Sequence, residues 1–478
     1  MTQTHDGPGA AADGVPPPPQ SLTTGAARKL STTTKTPPAT LETTPRWLSR
    51  MLPWTDVPGG AYRVNRRLTH TVGDGRVPIV RVGTEHRPLP AGLRELSLLR
   101  GADEGSPQGM EALNAVADAF TAVRYRPGEV IAEAGSPADR VLLVAHGKVR
   151  RTRSGEFGDP ARLGLLSSGE VAGSAALSGP RSQAEPWDAT LTAATACTVL
   201  ALSAADFAAL RDRVPALEAV VRRAASAPRP RTNKLGEAAV AMAAGHRGEP
   251  TIPGTFVDYD PAPREYELGI AQTVLRVHTR VAELYSEPMD QQGEQLRLTV
   301  AALMERREHD LVNDRGFGLL HNADPRQTVS TRSGPPGPDD LDELLSRRRK
   351  SEFFLAHPKA IAAFGRECTR RGVMPGTARV EGQAVTTWRG VPLLPCDKIP
   401  ISRSGTTSVL VMRTGEQDEG VIGLHRTGLP DEHVPGVSVR AMDIGDQAIR
   451  RFLVTAYHSV AVLVPDALGL LEDVELGR

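Results

Sequence analysis

Cysteine is scarce in this sequence, with three residues among 478. Cys197, Cys368 and Cys396 are widely spaced and form no C-x-x-C pair. Small secreted folds that depend on disulfides carry an even number of closely spaced cysteines. An odd count with wide gaps therefore argues against a disulfide framework and favours a reduced intracellular chain.

Long apolar runs are also lacking. No run approaches the roughly 18 residues that a membrane-spanning helix needs. The first twenty residues are rich in Gly, Pro and Ala and have no apolar signal-peptide core. The formal net charge of +1 gives no general attraction to nucleic acid or to an anionic membrane. We therefore expect a cytoplasmic, soluble protein that has neither nucleic acid nor membrane as a partner.

Sequence motifs of common catalytic sites are missing as well. There is no GxxxxGK[ST] phosphate loop, no HExxH zinc motif and no GxSxG nucleophile elbow. Glu305, His309 and Asp310 fall on one predicted helix, but no second histidine lies one turn away. A structural histidine is therefore favoured over a metal ligand. We expect no catalytic residues, no metal site and no enzymatic activity.

The N-terminal arm, residues 1–69, combines a polar tail with an aromatic and basic stretch. Residues 1–45 are largely Thr, Pro, Ala, Gly and Ser, so they cannot bury enough apolar surface to offset their conformational entropy, and we expect disorder. Trp47, Trp54 and Tyr62 then occur among arginines. Two interpretations stay open: the stretch enters the core of its own chain, or these three aromatic residues bind an adjacent subunit.

A middle segment of about a hundred residues has the pattern of a β-roll. Apolar residues alternate along short runs, and glycines lie where strands must reverse, as a jelly roll of antiparallel strands requires. The alternating residues are Val130, Val141, Leu143 and Val149, and the glycines are Gly128, Gly135 and Gly147. Helices are predicted on either side, at 109–122 and 204–225. We assign residues 103–225 to this domain.

The segments beside the roll connect it to a second body. Residues 70–102 alternate between glycine turns, which predicts the first part of an elongated two-stranded loop. Residues 226–262 are rich in Pro, Gly and Arg, and we interpret them as a linker or the return of that loop.

The second body shows mixed helix and strand signals. Apolar residues at four-three spacing predict an amphipathic helix through Ile270, Val274, Val277, Val281 and Leu284. A second helix is predicted through Leu296, Val300, Leu303 and Leu311, and others at 341–350, 357–371 and 444–457. Short strands are predicted at 353–355, 409–412 and 421–424. Such mixed order indicates an α+β body.

The middle domain resembles the cyclic-nucleotide-binding family. In that family a Gly-Glu pair and a following arginine hold the ribose and the phosphate, and backbone amides at a helix N-terminus cradle the anion. Residues 169–190, called here the cassette, match this region. Gly173 matches the cassette glycine, but Ser174 stands where the family has glutamate, and Trp187 and Asp188 stand where arginine is expected.

The candidate ligand of the cassette is cyclic AMP. The predicted binding residues are Gly173, Ser174, Arg181 and Ser182, with Arg181 in place of the family's arginine. Because the glutamate and arginine positions are altered, we expect weak binding or none, and no cofactor is required.

Motifs on both sides of the roll resemble encapsulin shell proteins of the second family. They include Arg46-Trp-Leu48, Leu52-Pro-Trp54, Gly59-Gly-Ala-Tyr-Arg-Val-Asn-Arg-Arg67, Arg280-Val-Ala-Glu-Leu-Tyr285, Phe353-Phe-Leu-Ala-His-Pro358, Thr387-Trp-Arg-Gly-Val-Pro392 and Ala467-Leu-Gly-Leu-Leu-Glu-Asp-Val474. Because several unrelated motifs agree over most of the chain, we do not attribute this resemblance to chance. The inserted roll is similar to that of the subgroup with a cyclic-nucleotide-binding-like domain.

The resemblance implies a phage major-capsid-like fold. Its parts are an N-terminal arm, an elongated loop, a peripheral domain with a long spine helix at 263–350, and an axial domain at 351–478. It also implies a closed icosahedral shell, for which about 60 copies is the smallest number, that encloses a cargo enzyme. In this subgroup the cargo resembles isoprenoid-processing enzymes such as terpene cyclases.

The alternative is a cyclic-nucleotide-responsive transcription regulator. Such a protein needs a winged helix-turn-helix with a basic recognition helix after the roll. Here the roll is followed by the basic stretch 229–234, a Gly/Pro-rich loop and two long predicted helices. That order argues against a regulator.

Overall fold

The structure is a computed structural model of the chain, and it describes most of the sequence outside the N-terminal tail. The described residues are 23, 25, 29, 36–69, 75–83, 85–103, 105–154, 160–177, 185–226, 232–233, 235–242, 259–261, 263–284, 286–287, 289–332 and 334–477. The prediction of disorder at the N-terminus falls mostly outside them, as does most of the predicted linker at 226–262.

The α-helices whose bounds the structure describes fall into three groups: at the arm, around the middle domain and in the second body. They are α1 Trp47–Met51, α2 Pro107–Ala119, α3 Ala204–Arg213, α4 Pro215–Ser226, α5 Thr279–Leu284, α6 Gln291–Asn313, α7 Leu319–Asn322, α8 Pro338–Ser346 and α9 Pro358–Arg370. Short 3-10 helices lie at Pro90–Glu95, Ser174–Leu177, Pro325–Gln327 and Pro465–Ala467.

The strands before residue 204 are β1 Trp54–Asp56, β2 Ala61–Val64, β3 Ile79–Val82, β4 Glu85–Pro88, β5 Thr121–Tyr125, β6 Val130–Ala132, β7 Arg140–His146, β8 Val149–Ser154, β9 Pro160–Leu166, β10 Val171–Ala172, β11 Thr190–Ala193 and β12 Cys197–Ser203. Those of the second body are β13 Arg264–Glu267, β14 Gly269–His278, β15 Thr328–Ser330, β16 Phe353–Ala356, β17 Gly376–Val380, β18 Gln383–Trp388, β19 Val391–Pro395, β20 Thr406–Met412, β21 Val421–His425, β22 Glu432–Val434, β23 Val437–Ile444, β24 Ile449–Val462 and β25 Leu468–Glu475.

Two large sheets form the second body, and the antiparallel pair β2–β13 joins it to the arm. The second body and the arm together are called here the shell body. One sheet has the order β1-β21-β24-β23-β22, and β14 also pairs with β24. The other has the order β15-β25-β20-β16-β19-β18-β17. The long helix α6, called here the spine helix, packs on the first sheet, where its Leu303 contacts a cluster with Val437 and Val454. The mixed α+β class and the long amphipathic helix are as predicted.

The middle domain is a roll of two four-stranded sheets, as the alternating pattern predicts. Their orders are β10-β7-β12-β5 and β6-β11-β8-β9. Inward-facing residues of the two sheets form one apolar cluster that includes Leu142, Val144, Val149, Leu191 and Val199. Gly147 turns the chain between β7 and β8 with φ +86, and a Cβ there would lie 2.5 Å from the carbonyl oxygen of Ala196. Period-two burial and glycine turns therefore build the roll.

The inserted domain begins earlier than the predicted boundary at residue 103. Val77, Leu93, Leu96 and Leu99 are buried in the cluster that also contains residues of α2, α3 and α4. The prediction assigned residues 70–102 to an elongated loop, whereas residues 77–102 pack against the inserted domain. Among the described residues of this segment, β3 and β4 form a short two-stranded pair. Apolar residues of the 3-10 helix Pro90–Glu95 and of the residues after it cover one side of the roll. The alternating pattern of the sequence does not indicate this packing.

Both ends of the insertion lie close together. Arg223 donates a hydrogen bond to the carbonyl of Gly101 over 3.3 Å. Nearer the shell body, Thr69 forms a β-bridge with Glu237. The insertion therefore leaves and re-enters the shell body at one place, as expected of a domain inserted into a loop.

Two predicted helices of the shell body are strands. Gly269–His278 pairs with β24 over its whole length in antiparallel register, and only Thr279–Leu284 is helical. The predicted helix at 444–457 is largely replaced by β24 at Ile449–Val462, which β23 and β14 flank on opposite sides. β-Branched and aromatic residues make up four of the ten residues of β14 and half of β24. Such side chains pack well against neighbouring strands and lose more rotamer freedom in a helix.

Other predictions for this body are confirmed. Phe353–Ala356 is a strand buried along its whole length, and Pro358–Arg370 is a helix. The pair Glu343–Arg347 forms at 2.9 Å near the end of α8. Among the described residues, no helix has both the length and the apolar character needed to cross a bilayer.

Candidate functional site

The arm is held by a carboxylate of the spine helix. Helix α1 has no side-chain cap of its own, because Arg46 at its N-cap has left-handed backbone geometry (φ 50) and makes no capping bond. Glu308 of α6 replaces the cap. The backbone N–H groups of Leu48 and Ser49 donate to its two oxygens over 2.8 Å each, and the Ser49 hydroxyl donates over 2.5 Å.

Glu308 is almost completely enclosed, with 1% of its surface exposed. Burial raises the pKa of its carboxyl, while hydrogen bonds from Ser49 and Leu48 and the charge of Arg307 act in the opposite direction. Burial lowers the pKa of the Arg307 guanidinium to about 10. That guanidinium lies 4.5 Å from the centre of the Trp54 ring. A buried charge of this kind is tolerated only when such partners surround it.

A second carboxylate lies one turn earlier on the spine helix. Glu305 accepts from the backbone N–H and the hydroxyl of Thr44, over 2.9 and 2.7 Å, and pairs with Lys398 over 3.0 Å. Burial tends to raise the pKa of Glu305, but the Thr44 and Lys398 hydrogen bonds outweigh it and lower the pKa. We call Glu305 and Glu308 with their arm partners the arm seat.

After the arm seat, the chain joins the first sheet of the shell body as strand β1. It pairs in parallel with β21, where Trp54 lies opposite Gly423. A Cβ at position 423 would lie 2.8 Å from the indole of Trp54, so glycine leaves the space that the ring fills. The indole nitrogen of Trp54 donates to the carbonyl of Ser49 over 2.9 Å.

The predicted interface residues are placed differently from one another. Trp47 is 1% exposed within the single chain and belongs to its main core, as in the first of the two interpretations of this stretch, and its contact with an adjacent subunit stays a prediction. The burial has a physical cause, because the arm seat places α1 directly over the core. Trp54 and Tyr62 are only partly buried against the same core, and their interface role stays a prediction.

In the described part of the cassette, the indole of Trp187 packs on Gly173. Gly173 has φ +74, and a Cβ there would lie 2.5 Å from the indole of the buried Trp187. Ser174 begins the 3-10 helix that ends at Leu177. The other two predicted ligand residues, Arg181 and Ser182, lie outside the described residues. The structure thus shows Gly173 and Ser174 adjacent in one turn, with an aromatic ring packed on the glycine.

A further cassette residue, Glu170, has partners within the protein. Its carboxylate accepts from the backbone N–H and the hydroxyl of Ser167, over 2.6 and 2.9 Å. It also lies 3.8 Å from the guanidinium of Arg76. Glu170 follows Gly169 in the matching stretch, and that Gly-Glu pair was the signal in the sequence that could have marked it.

Two kinds of reactive site, a metal centre and an activated thiol, were sought among the described residues. No group of three or more His, Cys, Asp or Glu side chains among them is arranged to hold a metal ion. The three cysteines are buried, and burial raises the pKa of Cys396 to about 12. A thiol with so high a pKa carries almost no thiolate near neutral pH, so it is a poor nucleophile.

Similarity to known proteins decides the family. A sequence profile described as the SrpI-like type 2A encapsulin shell protein matches residues 225–478, just over half of the chain. The chain belongs to the type 2A encapsulin shell protein family. A profile of the cyclic nucleotide-binding domain matches residues 122–214, within the insertion of this encapsulin shell protein.

Two relatives and one solved structure support the assignment to encapsulins. The type 2A encapsulin shell protein SrpI of Synechococcus elongatus is 52% identical over 248 residues, which are 52% of this chain and 81% of SrpI. A type 2A encapsulin shell protein of Mycolicibacterium paratuberculosis is 48% identical over 243 residues, covering 51% and 79%. The cryo-EM structure of the holo-SrpI encapsulin complex from S. elongatus aligns with a TM-score of 0.53 and 31% identity, over 96% of this chain and 98% of that one.

These similarities confirm the main predictions. The chain is an encapsulin shell protein with a capsid-like fold and an inserted cyclic-nucleotide-binding domain. The relatives are named as shell proteins, which agrees with a structural role and not with an enzyme. The transcription regulator is not favoured.

The arm seat predicts a specific loss of stability. Replacing Glu308 with Ala leaves the buried N–H groups of Leu48 and Ser49 without an acceptor, so we expect the free energy of unfolding to fall by about 2–3 kcal/mol. Denaturant unfolding of the shell body measures this. Glu283→Ala is the matched control, because Glu283 is exposed and lies 3.9 Å from Arg450. Equal unfolding midpoints for the two variants would show that the arm seat contributes nothing.

Proposed function

We propose that this encapsulin is the self-assembling subunit of a closed icosahedral nanocompartment in the cytoplasm, built from about 60 copies. Its alignment over nearly the full length of a shell protein solved as a complex is the observation that carries the proposal. In the subunit, the arm packs into the core of the shell body, while the inserted domain has a separate core. The shell partner is the chain itself.

The proposed role of the shell is to enclose a cargo enzyme. We propose an isoprenoid-processing enzyme such as a terpene cyclase, because the chain resembles the encapsulin subgroup whose inserted domain accompanies such cargo. The shell subunit itself is then structural, and turnover belongs to the enclosed enzyme. Protein mass spectrometry of particles isolated from the native cell identifies the cargo, and particles that hold no enzyme of that class contradict this part.

Assembly is tested by the mass of the purified particle. About 60 copies of a 51.0 kDa chain give roughly 3 MDa, far above a dimer. We expect mass photometry to show this closed particle. A variant in which a short Gly/Ser linker replaces residues 70–236 should still assemble, because Thr69 and Glu237 already lie side by side. A particle mass of only a monomer or dimer for the full chain, under all conditions, contradicts the proposal.

We further propose that the inserted domain binds cyclic AMP weakly or not at all. Trp187 and Asp188 occupy the position of the expected arginine, the indole packs on Gly173, and Asp188 lies 3.1 Å from Arg151. Neither Trp187 nor Asp188 offers a positive charge to a phosphate, and the Asp188 carboxylate already binds the guanidinium of Arg151. The domain in this form is a structural or protein-contact module.

Calorimetry with cyclic AMP tests this proposal. We expect no saturable heat at micromolar concentrations of the nucleotide. A dissociation constant in the micromolar range contradicts the proposal and makes the shell a regulated compartment. In that case Arg181→Ala shows whether the cassette is the site, because loss of the heat in this variant assigns the phosphate contact to Arg181.

A further inference from the structure

Two side chains connect the inserted domain to one strand pair of the shell body. The first is Lys148, in the turn between β7 and β8. Its ammonium donates to the carbonyl of Thr331 over 2.6 Å and to the Thr331 hydroxyl over 3.2 Å. Thr331 is fully buried beside β25, where its hydroxyl donates to the carbonyl of Asp473. This contact joins the roll to the shell body.

The second contact is made by Arg76, which precedes β3. One end of its guanidinium donates to Glu472 of β25 over 2.7 Å. The other end donates to the hydroxyl of Ser167 over 2.9 Å and lies 3.8 Å from Glu170. We call these four residues the Arg76 bridge. All four are partly or largely buried, so solvent weakens these charged hydrogen bonds less than it does at an open surface.

The backbone reinforces the bridge on the cassette side. The N–H of Val77 donates to the carbonyl of Gly169 over 2.7 Å. Gly169 has φ +85, and a Cβ there would lie 2.8 Å from the carbonyl oxygen of Val77, so only glycine fits this approach. The cassette turn 167–170 therefore cannot shift without disturbing Arg76 or Val77.

The backbone also reinforces the bridge on the shell side. Ser330 lies opposite Glu472 in the parallel pair of β15 and β25, and the N–H of Thr331 donates to the carbonyl of Glu472 over 3.2 Å. Thr331 is also the residue that Lys148 holds. A shift of Glu472 would therefore move Thr331 and with it the residue to which Lys148 of the roll donates.

We propose that the Arg76 bridge couples the cassette turn of the inserted domain to strand β25 of the shell body. Glu170 belongs to the cassette and to the bridge at once, so any change that draws Glu170 out of its turn weakens the hold of Arg76 on Glu472. Coupling of this kind is reciprocal, so a change at Glu472 must loosen the cassette turn. The inserted domain is then a seated part of the shell and not a freely swinging attachment.

Hydrogen–deuterium exchange of the assembled, full-length particle tests the coupling in both directions without any ligand. Glu170→Gln should speed exchange of the Thr331 amide, and Glu472→Gln should speed exchange of the Ser167 and Val77 amides. We expect about a fivefold increase, the factor that follows when a charged hydrogen bond becomes a neutral one. Arg76→Gln should produce both effects.

The matched control is Asp118→Asn, which removes an exposed ion pair with Arg87 inside the inserted domain. It should leave the exchange of Thr331 and Ser167 unchanged. Unaltered exchange at Val199, in the roll core, and an unaltered particle mass show that each variant is folded. If Glu170→Gln changes only its own turn and Glu472→Gln changes only residues 330–332, the two sites are independent and the proposal is wrong.

Discussion

A buried carboxylate on the spine helix is the constraint on which the rest of the shell body depends. Glu308 is enclosed by protein, so its charge is tolerable only while donors face it. The N–H groups of α1 are those donors, and α1 in turn has no other cap. Each element thus removes an energetic cost of the other. The chain after α1 then enters the sheet as β1 and brings Trp54 against Gly423.

This arrangement changes what the arm does. An arm that docks only on neighbours could be removed from a folded subunit, whereas this one contributes Trp47 and Leu48 to the main core. Loss of the arm therefore removes core residues of the subunit before any question of assembly arises. Contacts between copies are left to the partly buried side of the arm, where Trp54 and Tyr62 lie.

The inserted domain, unlike the arm, does not share the core of the shell body. Its core is separate from that of the shell body, and its two ends meet at Thr69 and Glu237. A module with its own core can be added at a loop at little cost to the host fold. Charged hydrogen bonds from Arg76 and Lys148 then join that module to the shell body.

Sequence patterns predict those parts whose local signal agrees with their surroundings. The spine helix, the buried strand at Phe353 and the alternation of the roll are of this kind. The strands β14 and β24 are not, because apolar residues four apart suit a helix face and one face of a strand equally, and long-range pairing decides between them. The cap of α1 is also hidden from local patterns, since Glu308 lies 260 residues away.

An electron cryomicroscopy map of the assembled particle is the most direct test that the arm belongs to its own subunit. We expect continuous density from Thr36 to Val64 along the spine helix of the same chain, with the indole of Trp47 in that chain's core. Density that carries Trp47 to the spine helix of an adjacent subunit would contradict the central claim.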